Sequence, residues 1–215
     1  MDVRQFVRLG RKIVAVGRNY RAHAAELGNT VPEQPMVFLK PTSSYVTQGR
    51  PIVIPPRVTE LHHEVELGVV IGKEGRDIPK SSALSHVAGY ALALDMTARN
   101  LQNEAKKKGH PWSVAKGYDT FCPVSDFIDR DQLDWSSCTL WLKVDGQEKQ
   151  RGSTSNMIFP IPDLLAFISS IFTLEPGDLI LTGTPEGVGP VVPGQTITAG
   201  LDDFLEMTFP VVGPR

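Results

Sequence analysis

Glu64 and Glu66 stand two apart in His63-Glu64-Val65-Glu66-Leu67, at the head of an apolar run. Side chains two apart on a strand share a face, so the pair repels itself unless a cation lies between. For that segment alone, a solvated strand face explains the pair as well. Asp95 adds weight to the cation. It closes the apolar stretch Gly89-Tyr90-Ala91-Leu92-Ala93-Leu94, and a carboxylate at the end of a buried strand needs a partner or a metal. Three carboxylates without a supporting His or Cys suit a hard divalent cation, Mg²⁺ or alternatively Mn²⁺, with water or substrate completing its shell. The adjoining His62 and His63 are expected to support the ligands rather than join them. One divalent cation leaves the three carboxylates with a negative excess that repels an anionic substrate. Lys116, in the apolar segment Trp112-Ser113-Val114-Ala115-Lys116-Gly117, and Arg99, four residues past Asp95, are candidates to offset it. A surface lysine and a helix-end arginine would be equally ordinary.

His23 and Glu26 are three apart in Gly17-Arg18-Asn19-Tyr20-Arg21-Ala22-His23-Ala24-Ala25-Glu26 and share a face if the segment is helical. A carboxylate beside an imidazole raises its pKa and fixes its tautomer, which suits a base acting on water. Most such pairs on exposed helices are idle. The segment Thr182-Gly183-Thr184-Pro185-Glu186-Gly187-Val188-Gly189 could bring backbone N–H groups to an anion, with Thr184 as a donor. It has neither the Gly-Lys-Ser/Thr of a nucleotide loop nor a G-x-G-x-x-G pattern, and a plain turn fits it too.

The elements that must hold these residues are mostly strands. Runs at Lys12–Gly17, Met36–Lys40, Pro51–Ile54, Glu64–Gly72, Val87–Asp95, Thr139–Asp145, Asp178–Thr182 and Phe204–Val211 read as strands. Asp145-Gly146 is a hairpin turn after Leu140-Trp141-Leu142-Lys143-Val144. Helices are expected at Tyr20–Leu27, Thr97–Lys108 and Asp163–Phe172, the last just after Pro162. Strand and helix do not alternate regularly, which argues against a doubly wound fold. The expectation is an α+β domain spanning 1–215, built on a mixed, strongly curved sheet.

Composition narrows the partners. A formal charge of −2 gives no field that recruits nucleic acid or an anionic membrane. No apolar run approaches the roughly 20 residues that cross a bilayer. Cys122 and Cys138 form no C-x-x-C pattern and suggest no disulfide framework, which fits a reducing compartment. Arg4, Arg8, Arg11 and Lys12 around Phe6, Val7 and Leu9 could be the remnant of an organelle-targeting helix, although Asp2 counts against it.

Taken together, His63-Glu64-Val65-Glu66-Leu67, Asp95-Met96-Thr97-Ala98-Arg99, Lys116-Gly117 and Leu181-Thr182-Gly183-Thr184-Pro185-Glu186-Gly187-Val188-Gly189 resemble the fumarylacetoacetate hydrolase family. Order and spacing match from about Lys12 to Val212, and the combination is far more specific than any part. Val16-Gly17-Arg18-Asn19-Tyr20 is most similar to the compact members. The resemblance implies a mixed β-roll and a homodimer. It implies Glu64, Glu66 and Asp95 as metal ligands, and His23 and Glu26 as a dyad on a lid helix that orders over substrate. Lys116 is implied as a catalytic cation, with Arg18, Arg99, Gln102, Gly183 and Thr184 as contacts for a small 2-oxo acid. The implied activities are acylpyruvate hydrolysis and oxaloacetate decarboxylation through a pyruvate enolate at the metal, with oxaloacetate keto–enol tautomerisation or a related hydratase or isomerase activity as alternatives. The sequence shows no counterpart of the SH3-like domain of the full hydrolase, which disfavours a role in tyrosine breakdown. The family places a eukaryotic protein in the mitochondrion or cytosol and a bacterial one in the cytoplasm. A catalytically silent carboxylate-binding module would need neither His23 nor Lys116.

Overall fold

The structure, a computed structural model, describes residues 2–26 and 32–214. Its centre is a mixed, curled eight-stranded sheet. The buried strand Val65–Ile71 pairs antiparallel with Leu179–Leu181 on one side and Val87–Leu94 on the other. Ile13–Gly17 runs parallel to Leu179–Leu181 and antiparallel to Met36–Lys40 at the edge. Val65, Leu67, Val69 and Ile71 are fully buried on one face and Val70 on the other, so the run is apolar apart from Glu66, as suits a strand covered on both sides.

A second sheet, Gln147–Ser153, Thr139–Val144, Thr196–Leu201, Leu205–Val212 and Ile52–Val53, packs against the first. Leu140, Leu142, Ile197, Ala199, Phe209 and the inner face of Val65–Ile71 belong to one core. The Asp145-Gly146 turn has positive φ at both positions, 50° and 79°, the geometry that matches the twist of the strands it joins.

Boundaries shift where side chains have other uses. Thr97–Ala98 pairs with Leu61–His63, so the expected helix starts at Arg99 and ends at Gly109 in the left-handed region. Ile161–Ile171 begins before Pro162, because a first-turn proline removes only an N–H that has no helical partner. The expected helix Tyr20–Leu27 is observed over Arg21–Glu26; Tyr20 instead bridges Met157 antiparallel, and Leu27 lies outside the described residues. Gln147–Ser153, Thr196–Leu201, Leu61–His63, Tyr45–Thr47 and Cys122–Val124 are strands that carry weak alternation or few residues. The basic N-terminal segment packs into the fold: Phe6 is buried against Tyr45, Arg4 pairs with Asp129, and Arg11 and Lys12 pair with Glu175. No helix among the described residues is long and apolar enough to cross a membrane.

Candidate active site

Strand ends converge on the carboxylates. Val65 faces Leu94 in the ladder, so the residues just beyond, Glu64 and Asp95, meet: Asp95 N–H donates to Glu64 O at 2.8 Å. Glu64 lies between Leu61–His63 and Val65–Ile71, where the chain passes from a small sheet to the large one. Glu66 is two residues along on the same face. Oxygens of Glu64, Glu66 and Asp95 all lie within 4.8 Å of one another, and all three side chains are buried.

Three cations offset them. Lys116, at the end of the short helix Ser113–Lys116, donates to Glu64 Oε2 (3.0 Å), Asp95 Oδ2 (2.6 Å) and Thr97 Oγ1 (2.6 Å). Arg99 Nη2 donates to Glu64 Oε1 at 2.6 Å, and its Nη1 to Gln102 Oε1 at 2.6 Å. Lys40, the last residue of Met36–Lys40, places its ammonium 2.7 Å from Asp95 Oδ1 and also donates to the carbonyls of Met96 and Lys116. Sequence reasoning passed over Lys40. Its one signal is a lysine closing the apolar run Met36-Val37-Phe38-Leu39, just before Pro41, and its partner is 55 residues away.

The field is uneven across the cluster. Burial raises the Glu64 carboxyl, but Lys116 and Arg99 more than offset it and hold it well below the usual carboxylate range. Burial, then Asp95 and Glu64, push Glu66 well above that range, and the Gly183 N–H at 2.7 Å only partly compensates. Lys116 is pushed down by burial but raised overall by Asp95 and Glu64. A buried, hard-oxygen triad with one carboxyl that resists ionisation fits a divalent cation, which would relieve the repulsion directly.

The remaining candidates surround this cluster. His23, Arg18, Gln102 and Thr184 line the same cleft as Glu64, Glu66 and Lys116. Glu26 stands behind His23, with Oε2 3.2 Å from Nδ1, and also accepts from Gly187 N–H at 3.2 Å, which ties the helix to the glycine loop. Gly183 has φ +98°, and a Cβ there would fall 2.7 Å from Asn19 Cβ. Only glycine brings that N–H onto Glu66. Buried Asn19 fixes the junction, donating to Thr182 O and Phe159 O and accepting from Phe159 N–H. Thr184 Oγ1 donates to Val65 O and accepts from Gln150 Nε2, so in this state the hydroxyl offers substrate a lone pair rather than a proton. Gln150 also accepts from His63 Nδ1 and Val65 N–H, clamping the loop to the carboxylate strand. His63 thus supports the strand, and His62 pairs with Glu60. Gln150 carries no sequence signal, and Asn19 none beyond its place in the run Val16-Gly17-Arg18-Asn19-Tyr20, because an amide in a polar stretch looks like surface.

Comparison with known proteins follows the same outline. The fumarylacetoacetate (FAA) hydrolase C-terminal profile matches residues 12–212. Mitochondrial oxaloacetate decarboxylase of Dictyostelium discoideum is 59% identical over 211 residues, covering 97% of each chain. The human mitochondrial oxaloacetate tautomerase FAHD1 is 49% identical over 212 residues, covering 98% of this chain and 96% of its own. The crystal structure of fumarylpyruvate hydrolase from Pseudomonas aeruginosa, in complex with Mn²⁺ and pyruvate, superimposes with a TM-score of 0.90 at 37% identity, covering 94% of this chain and 90% of that one. With the profile spanning nearly its whole length and curated relatives at this identity, the chain belongs to the fumarylacetoacetate hydrolase family.

Proposed function

We propose that this protein is a divalent-metal-dependent enzyme that hydrolyses acylpyruvates to pyruvate and a carboxylate and decarboxylates oxaloacetate at one site. Oxaloacetate keto–enol tautomerisation is the second reading, favoured by the names of relatives such as the human and Arabidopsis thaliana proteins. The observation that carries the proposal is the buried triad Glu64, Glu66 and Asp95, in a cleft that also holds His23 and Lys116.

Glu64, Glu66 and Asp95 would hold the cation, Mg²⁺ by preference and Mn²⁺ as the alternative. Bound there, it supplies Lewis acidity that favours negative charge at C3 of a 2-oxo acid. The protein's side chains do the rest. His23, oriented by Glu26, takes a proton from the water that attacks the distal carbonyl of an acylpyruvate. Lys116 donates to Glu64 and Asp95, and with those carboxylates neutralised by a bound cation its ammonium would be available to the developing oxyanion. Gln102 and Arg99 border the cleft and hold substrate oxygens, and Thr184 joins them once its hydroxyl turns from Val65 O, while Gly183 keeps Glu66 in place. Decarboxylation needs the same cation and substrate placement but no attacking water. Both routes meet at the pyruvate enolate.

Pyruvate release from acetylpyruvate and from oxaloacetate tests the reading. The expected result is release from both in Mg²⁺, and its loss in EDTA. No pyruvate from either substrate under any divalent ion would remove the proposal. A homodimer and, in a eukaryotic source, a mitochondrial location are proposed from family membership. Light scattering should give about twice the 23.6 kDa chain mass, and a monomer at micromolar concentration counts against the dimer.

A further inference from the structure

The donors around the triad divide its oxygens into two sets. Asp95 Oδ1 accepts from the Lys40 ammonium at 2.7 Å. Glu64 Oε1 accepts from Arg99 Nη2 at 2.6 Å and from Thr97 Oγ1 at 3.1 Å. Glu66 Oε2 accepts from the Gly183 N–H at 2.7 Å. Each carboxylate thus has one oxygen committed to a fixed donor. The second set is Glu64 Oε2, Asp95 Oδ2 and Glu66 Oε1. The first two accept from Lys116, and Glu66 Oε1 has no hydrogen-bond partner among the described residues. Lys40 is the donor with least freedom to leave. Its side chain is wholly buried, and Asp95 is its only acidic partner among the described residues. It closes the strand Met36–Lys40, with Pro41 next in the chain. Its ammonium also donates to Met96 O at 3.3 Å and Lys116 O at 2.5 Å, so all its protons are placed. An ammonium with no route to water keeps its carboxylate whatever binds nearby, because a buried charge stripped of its partner is strongly unfavourable. Lys116, in contrast, lines the cleft and holds oxygens of the second set.

We propose that Lys40 is a metal-selectivity residue: by holding Asp95 Oδ1 it limits that ligand to one oxygen, as Arg99 does for Glu64 and the Gly183 N–H for Glu66. The inference rests on the metal reading of the triad and deepens it. A triad limited to single oxygens leaves positions of an octahedron open to water and a 2-oxo acid, which suits Mg²⁺ and Mn²⁺. Ca²⁺ takes about six to eight oxygens and gains from a carboxylate that gives both of its own. With Oδ1 committed to a buried ammonium, Asp95 has no second oxygen to give.

The test is calorimetric titration of Mn²⁺ and of Ca²⁺ into metal-stripped, substrate-free wild type, Lys40→Met, Lys40→Arg and Arg99→Met, with circular dichroism checking each fold. The wild type is expected to bind Mn²⁺ more tightly than Ca²⁺. Lys40→Met should shift the ratio of the two affinities toward Ca²⁺ by about tenfold, the scale on which groups behind a metal ligand act. Loss of a positive charge alone would tighten both cations together, and a misplaced Asp95 would weaken both together, so neither effect moves the ratio. Lys40→Arg keeps the charge and a donor, and should hold the ratio near that of the wild type. Arg99→Met uncaps Glu64 Oε1 and should move the ratio in the same direction as Lys40→Met. A wild type that binds both cations equally overturns the selectivity role. So does an unchanged ratio in Lys40→Met or, where that variant does not fold, in Arg99→Met. If the wild type binds neither cation, the metal site and the proposed function fail together, and that outcome is distinct.

Discussion

At the scale of single residues the site is a balance of three carboxylates against Lys40, Lys116 and Arg99. Removing one buried partner strands another charge, which typically costs about 3–5 kcal/mol. Lys40→Met should therefore destabilise the metal-free protein by about 3 kcal/mol, the low end of that range, because Lys116 still contacts Asp95. Urea unfolding measures it; a loss below about 1 kcal/mol would show that Lys40 is incidental. The raised Glu66 carboxyl gives a second expectation. Its neutral form is favoured without metal, whereas ligation needs the carboxylate, so metal binding should release a proton and tighten as pH rises. Titration calorimetry in buffers of different ionisation enthalpy reads this directly, and equal affinity at acid and neutral pH with no proton release contradicts it. The carboxylates were legible in the sequence because an ionised group in an apolar run is costly and demands a reason. Lys40, Asn19 and Gln150 were not, because their partners lie 34 or more residues away.

At the scale of elements, the strands around Val65–Ile71 were readable from apolar runs and turn residues, and Met36–Lys40 was read with its observed ends. Short partners such as Gln147–Ser153, with five exposed or half-exposed polar residues at its start and end, exist because a neighbour supplies the ladder. The helix Arg21–Glu26 is the element with a dynamic role to test. Six residues are marginal as an isolated helix, and Glu26 tethers this one to the glycine loop at Gly187. If the dyad activates water, His23→Ala should cut acetylpyruvate hydrolysis by about 10²–10⁴-fold and oxaloacetate decarboxylation by less. Glu26→Gln keeps the volume and removes the charge, so it should show the same ordering with smaller losses. Equal proportional losses for both substrates in both variants would mean that the helix acts through closure alone.

At the scale of the molecule, the two packed sheets hold a rigid floor of carboxylates, while helices and the glycine loop form the walls. The curved-sheet expectation followed from the mixture of apolar runs and frequent turns; the three-sheet arrangement and the junction at Glu64 depend on which strands pair, and no local pattern encodes that. The central claim is that a single metal on Glu64, Glu66 and Asp95 serves every activity of this site. Its most direct test is a Mg²⁺ titration of EDTA-stripped protein, with acetylpyruvate hydrolysis and oxaloacetate decarboxylation followed in parallel for the wild type and Glu66→Gln. The account predicts that both activities rise from baseline with one shared half-saturation, and that Glu66→Gln, although folded, loses at least about a hundredfold in both, the upper range for disturbing even a ligand's support. Full turnover of either substrate in the stripped protein, or unaffected turnover in Glu66→Gln, would contradict it.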